Sequence, residues 1–235
     1  MSSIIEGFTK AFSLILNLDK ELLGIIFLSL RVSGTALVVA TFLGLPLAAL
    51  LGFRKFPMRG LFINILNTFM GLPPVVVGLF IYLLLSRAGP LGFMGLLYTP
   101  IAMIIAQSVL AFPIVTSLSH SAIVSVDPVI KQAATTLGAT PFQTSLTIIR
   151  EAKYGIMSGI IAAFGRVMAE VGAILIVGGN IAGFTRVMTT TIAMETDKGN
   201  FDLALALGII LLTISLVINS ALHFIQKKGM IGANK

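Results

Sequence analysis

Long apolar runs constrain this chain more than anything else in it. The first covers residues 22–53, where Arg31 is the one charged side chain. Coiled as a helix it would reach roughly 48 Å at about 1.5 Å per residue, beyond the roughly 30 Å of a hydrocarbon core. It must tilt, bend near Gly44 and Pro46, or emerge from the lipid. Further runs cover residues 61–86, 99–119, 154–178 and 201–225. With 57% hydrophobic residues, 11% charged ones and a mean hydropathy of +1.04, the chain carries more apolar surface than a soluble core can bury. In lipid every backbone polar group needs a partner within its segment or in protein, so the runs read as helices. The expected fold is an all-α, polytopic membrane protein with about five transmembrane helices.

Two runs carry features that plain spans do not need. Gly71-Leu72-Pro73-Pro74 falls in the middle of the second. Two successive prolines remove two backbone donors and must kink or break a helix. Such a break is tolerated at membrane depth where protein or a water-filled cavity satisfies the freed carbonyls. Pro73 and Pro74 are therefore candidates for a gate or for lining a solute pathway, against a permanent kink. The fourth run holds Gly155, Gly159 and Ala163 four apart, which lets another helix approach closely. Beside them lie Arg166 and Glu170, one turn apart. They either neutralise each other and fix helix packing or meet a passing anion. Arg31 either snorkels outward or pairs with Glu170. Residues 180–200 form a polar connection with a helical middle. There Arg186, Thr189, Thr190 and Thr191 offer donors suited to an oxyanion near an outer mouth, or simply a solvated loop.

The ends and loops set the orientation. Ile4, Ile5, Phe8, Phe12, Ile15 and Leu16 share one face, so residues 1–20 are expected as an amphipathic segment on the membrane surface. The start MSSIIEGF lacks a basic n-region, and no cleavable leader is expected. Residues 21–226 form one membrane domain, and 227–235 a basic tail. Nine basic residues (Arg54, Lys55, Arg59, Lys131, Arg150, Lys153, Lys227, Lys228 and Lys235) fall on one side of a five-span chain. Five (Lys10, Lys20, Arg87, Arg186 and Lys198) fall on the other. The positive-inside rule makes the first side cytoplasmic, with the N-terminus outside and the C-terminus inside. The net charge of +7 reads as those loops, not as a nucleic-acid surface. Cysteine is absent, and no phosphate loop (G-x-x-x-x-G-K-S/T), H-E-x-x-H or G-x-S-x-G is present. No catalytic residue, metal or cofactor is expected. His120 and His223 stand alone.

One polar stretch lies between two apolar runs, Asp127 to Lys153. Asp127 suits an N-cap and Pro128 the first helical position. Ile130, Ala133, Ala134 and Leu137 recur at helical spacing, and Gly138 is placed to end the helix in a left-handed conformation. Thr140-Pro141 repeats the cap signal, and Phe142, Leu146 and Ile149 make a second stripe. Two short helices joined at a glycine are expected. The segment resembles the EAA loop of ABC importer permease subunits, which runs Glu-Ala-Ala, three residues, Gly, nine residues, Ile-x-Leu-Pro. Gln132-Ala133-Ala134, Gly138 and Ile148 stand at those spacings. Gln132 replaces the usual Glu, and Arg150-Glu151 replace Leu-Pro. The resemblance implies a coupling loop over 120–153, with Gln132, Ala133, Ala134, Leu137, Gly138 and Pro141 contacting an ATPase.

A second resemblance narrows the family. Phe164-Gly165-Arg166, Glu170, Gly172-Ala173 and Gly179-Asn180-Ile181 are similar to the F-x-R-x-x-x-E-x-G-A…G-N-I pattern of molybdate, sulfate and tungstate permeases. Thr185 to Thr190, Glu195-Thr196 and Lys198-Gly199 resemble the tungstate branch most, and Gly71 to Gly78 fits the same group. The resemblance implies a type I ABC importer permease fold. It also implies a second copy of the chain, a dimer of ABC ATPase subunits and an extracytoplasmic oxyanion-binding protein. Tungstate is the expected solute, with molybdate or sulfate as the alternative. A passive anion channel or a scaffold subunit is the rival outside that class.

Overall fold

In the computed structural model the described residues are Ser13 and 20–233, with Gln226 the one described side chain beyond Phe224. Apart from Ser13 and Lys20, the expected amphipathic segment over 1–20 lies outside them, as do the side chains of the basic tail.

Every regular element among the described residues is helical. They are α1 (Lys20–Phe53), α2 (Arg59–Phe69), α3 (Pro74–Leu85), α4 (Pro100–Val124) and α5 (Pro128–Thr136). The chain continues through α6 (Pro141–Met168), α7 (Gly172–Gly178), α8 (Met188–Asp197) and α9 (Phe201–Ala233), with a 3-10 turn at Gly92–Met94. α4 is the central element. α1 packs along one side of it and α6 along another, while α3 rests on α7 and α8 on α9.

Small residues make this close packing possible. α1 turns Ser33, Ala36, Ala40, Gly44 and Ala48 inward, and all are buried. A Cβ at Gly44 would sit 2.8 Å from Thr116 Oγ1 of α4, so a larger residue there pushes the helices apart. The outer faces are apolar: Phe27, Phe42, Phe80 and Leu212 are each exposed by more than 60%. Such a surface suits lipid or a partner subunit rather than water.

Among the described residues three unbroken helices, α1, α4 and α9 as far as Phe224, are long and apolar enough to cross a membrane. Two bent pairs supply the fourth and fifth candidates. α2 and α3 meet at 103°, and α6 and α7 at 58°. The second apolar run is thus folded back near a right angle at Gly71–Pro73, a stronger effect than a kink in a continuous span. The fourth run departs from expectation at both ends. α6 starts at Pro141 and absorbs the expected second short helix, because nothing from Phe142 to Met168 breaks a helix. Ser145, Thr147 and Ser158 only turn back onto carbonyls four residues earlier. At the other end the run breaks at 169–171.

Candidate functional site: a capped outward corner and two bent helix pairs

Local chemistry fixes the α5–α6 corner. Asp127 Oδ1 accepts from Val129 N–H at 2.9 Å, and Pro128 opens α5. At the other end Gly138 has φ +80°. Its N–H donates to Thr135 O, and Ala139 N–H to Ala134 O, each at 3.0 Å. This bond pair closes a left-handed helix end and favours glycine at that position. Thr140 and Gln143 then cap α6 reciprocally. Thr140 Oγ1 accepts from Gln143 N–H at 3.3 Å, and Gln143 Oε1 from Thr140 N–H at 2.8 Å. Pro141 is the first residue of α6.

The corner presents apolar side chains outward. Leu137 is 87% exposed, Phe142 78% and Val129 61%. Gln132 and Ala133 are exposed beside them and Ala134 is half-buried. The next stretch of α6 is anchored instead: Ile148, Ala152 and Ile156 pack with Ala48 of α1 and Ile123 of α4. Further along, a Cβ at Gly155 would lie 2.7 Å from Ala122 Cβ, and one at Gly159 2.8 Å from Leu118 Cβ. The small-residue stripe therefore seats α6 on α4 of the same chain.

α6 ends at the Arg166–Glu170 pair. Arg166 Nη1 donates to Glu170 Oε2 at 2.9 Å. Glu170 Oε1 accepts from Ala173 N–H at 3.2 Å, so the carboxylate also caps α7. The two side chains are unequal: Glu170 is 3% exposed and Arg166 37%. The carboxylate is buried between the guanidinium and the start of α7, and the guanidinium is partly exposed. Arg31 is exposed on α1, and Arg166 is the partner of Glu170 among the described ion pairs.

The two broken pairs interlock. Pro73 precedes α3 as its N-cap, Pro74 begins it, and Val76 and Val77 N–H both donate to Pro73 O. A Cβ at Gly78 would fall 2.8 Å from Ala173 Cα, and one at Gly172 2.9 Å from Val75 Cγ2. Gln107 of α4 supports the second break by donating to Val167 O at 2.9 Å. Sequence reasoning passed over Gln107, although a lone amide in an apolar run is a readable signal.

The connection after α7 is more deeply packed than a solvated mouth. Thr189 and Thr190 are buried. Thr189 Oγ1 donates to Glu170 O at 2.8 Å, and Thr190 bonds both backbone groups of Val187. Thr191 Oγ1 donates to Val187 O. These hydroxyl protons are committed inside the chain, so they brace α8 rather than reach outward. Arg186 Nη1 lies 3.7 Å from Glu21 of α1. Glu195 accepts from Lys198 Nζ and Asn200 Nδ2, each at 2.8 Å. The Lys198 hydrogen bond first, then that from Asn200, holds its carboxyl below the usual carboxylate range.

The sequence model of the family described as binding-protein-dependent transport system inner membrane component matches residues 44–228. The chain belongs to that family. Among its relatives is the tungstate uptake system permease protein TupB of Peptoclostridium acidaminophilum, 44% identical over 97% of this chain and 100% of the relative. A probable anion ABC transporter permease protein of Haloferax volcanii is 45% identical over 85% of this chain and 88% of its own. A chain from the crystal structure of a bacterial alginate ABC transporter, in complex with an alginate pentasaccharide-bound periplasmic protein, superposes with a TM-score of 0.76 at 19% identity. That match covers 97% of this chain and 87% of the other. The chain therefore has the type I ABC importer permease fold and is a multi-pass membrane protein. Gln132, Ala133, Ala134, Leu137, Gly138 and Pro141 lie together at the outward corner of α5 and α6.

Proposed function

We propose that this chain is the membrane-spanning subunit of an ATP-driven tungstate importer. The observation that carries the solute is 44% identity along nearly the whole chain to a tungstate uptake permease. Two copies of residues 21–226 form the pathway, with 120–153 as the coupling loop on the cytoplasmic side. The N-terminus lies outside and the C-terminus inside, in keeping with the distribution of Lys and Arg. A dimer of separate ABC ATPase subunits seats the exposed α5 corner, and an extracytoplasmic binding protein delivers the anion. No catalysis falls to this chain.

The geometry offers a mechanical route. Leu137 and Phe142 are apolar anchors for a groove, and α5 is too firmly capped at both ends to unravel under load. α6 is unbroken for 28 residues, roughly 42 Å at about 1.5 Å per residue. A push on α5 travels along that rod to Arg166 and the break at 169–171. There α7 bears on α3 through Gly172 and Gly78, so the two broken spans move together. Pro73 and Pro74 begin the moving wall of the pathway. Glu170 holds Arg166 in place, and the exposed guanidinium face meets the passing oxyanion. Thr189 and Thr190 brace the outer side.

Uptake of labelled tungstate, molybdate and sulfate by the complete complex with its own binding protein tests the reading. ATP-dependent tungstate accumulation that excess sulfate does not compete away supports it. Preference for molybdate or sulfate reassigns the solute, and uptake without ATP makes the chain a passive channel.

A further inference from the structure

Gln107 lies about a third of the way along α4 and is 1% exposed. Its Nε2 bond to Val167 O decides which end of the amide faces α6, because turning it over would set two oxygens against each other. Oε1 is the end left over, and it is buried without a partner. An unpaired buried amide oxygen is costly and calls for a physical explanation.

Gln107 lines a small cavity beside the α6–α7 break. Its other polar walls are Ser29 and Ser33 of α1 and Thr189 of α8. The space open to the centre of a water-sized sphere is about 10 Å³. That is close to the roughly 10–15 Å³ needed for one water. A tetrahedral oxyanion does not fit, and a divalent cation takes about six or more oxygens.

The donors and acceptors also balance for water. Gln107 Oε1 accepts. Thr189 Oγ1 has given its proton to Glu170 O, so it too is left as an acceptor. Ser29 Oγ is engaged on both sides, donating to Ile25 O and accepting from Met188 N–H. Ser33 brings a further hydroxyl that can donate. A water that donates twice and accepts once has about the three hydrogen bonds usual for buried water.

We propose that one structural water occupies this cavity, held by Gln107 Oε1, Ser33 and Thr189. It ties α4 to α1 and α8 beside the broken span. The amide then serves the break twice, with Nε2 on the carbonyl at the end of α6 and Oε1 on the water. Ordered water is one of the means by which broken helices stay satisfied at membrane depth. The site stands whether the transported anion is tungstate or another.

Radiolytic hydroxyl labelling of the assembled transporter in heavy-oxygen water, read by mass spectrometry, tests it. Met168 and Met188 line the cavity, at 5% and 1% exposure. Met103 is 0% exposed and packs away from it, against Gly178. Met58, at 65%, reports labelling by bulk water. The expected result is oxygen uptake at Met168 or Met188 several-fold above Met103. Ser33→Val, which fills the space and removes a hydroxyl, should cut that uptake several-fold and leave Met58 unchanged. If Ser33→Val does not assemble, Gln107→Leu is read in the same way. Labelling of Met168 and Met188 no faster than Met103 would overturn the proposal in the wild-type protein alone. Unchanged labelling in the assembled variant would also overturn it, since the water would then be coming from bulk.

Discussion

Gly159→Ala tests the α4–α6 seam with a single methyl. The added Cβ would lie 2.8 Å from Leu118 Cβ, about 0.7–1.2 Å short of the ordinary 3.5–4.0 Å carbon contact. Both atoms are on helix surfaces close to the backbone, so no side-chain rotation relieves the overlap. The helices must part, which costs about 1–3 kcal/mol for an overpacked site. Alanine's helical preference over glycine returns about 1 kcal/mol. The net expectation is neutral to about 2 kcal/mol destabilising for alanine, and a clear loss of folded protein for Gly159→Leu. Gly165, on the same helix, is the control. No atom outside its own helix lies within 4 Å of its would-be Cβ, so Gly165→Ala should be neutral or stabilising by about 1 kcal/mol. Thermal unfolding of the purified variants in one detergent, followed by loss of the monodisperse peak, ranks them. Equal effects of Gly159→Ala and Gly165→Ala would refute the steric reasoning. So would a Gly159→Leu protein as stable as wild type.

Three further outcomes follow from other parts of the molecule. Single cysteines replacing Thr135 and Asp197, both exposed, should react with an impermeant reagent from opposite faces of the membrane; reaction of both from one face would reject the orientation. Glu170→Gln keeps an acceptor for the Ala173 N–H, so it should be milder than Glu170→Ala, which leaves that N–H without its partner at about 1–3 kcal/mol; equal melting temperatures for the two variants, both below wild type, would show that charge, not capping, is what matters there. Because Glu195 is held below its ordinary value, its contribution to stability is fully present above the unfolded carboxylate pKa of about 4.3. It is lost as pH falls through the lower folded value. Glu195→Gln should flatten that acid limb of a stability–pH profile, and an unchanged limb would place the acid sensitivity elsewhere.

Helix starts were legible because their chemistry is local. Asp127, Pro128, Thr140 and Pro141 each satisfy or remove orphan N–H groups within four residues, and the structure uses all four as read. Gly138 was legible for the same reason, since its positive φ answers a local requirement. The double proline announced a break but not its size. The 103° bend depends on how α3 settles on α7, which no local pattern contains. The break at 169–171 carries no proline at all. Its causes are a local side-chain cap from Glu170, three residues before the Ala173 N–H, and the approach of Val75 to Gly172, which is visible only when distant segments meet. Thr189 and Thr190 misled in a similar way. A run of hydroxyls reads as polar surface, whereas here the acceptors are supplied by Glu170 and Val187 and the side chains turn inward. The α4–α6 seam was half legible: four-residue spacing indicated a close neighbour but not that the neighbour lay in the same chain.

Coupling through α5 is the central claim, and ATP hydrolysis by the reconstituted complex measures it most directly. Gly138→Val puts a β-branched residue at φ +80°, which such residues resist. Ala134→Glu adds bulk and charge to the half-buried side of the docking corner. Both variants should insert in the membrane as wild type does, and Gln132→Glu should remain active. Hydrolysis is recorded with and without the loaded binding protein, alongside anion uptake and co-purification of the ATPase. The expected result is loss of both uptake and stimulated hydrolysis in Gly138→Val and Ala134→Glu. Wild-type uptake with full stimulation in those two variants would contradict a coupling role for this helix.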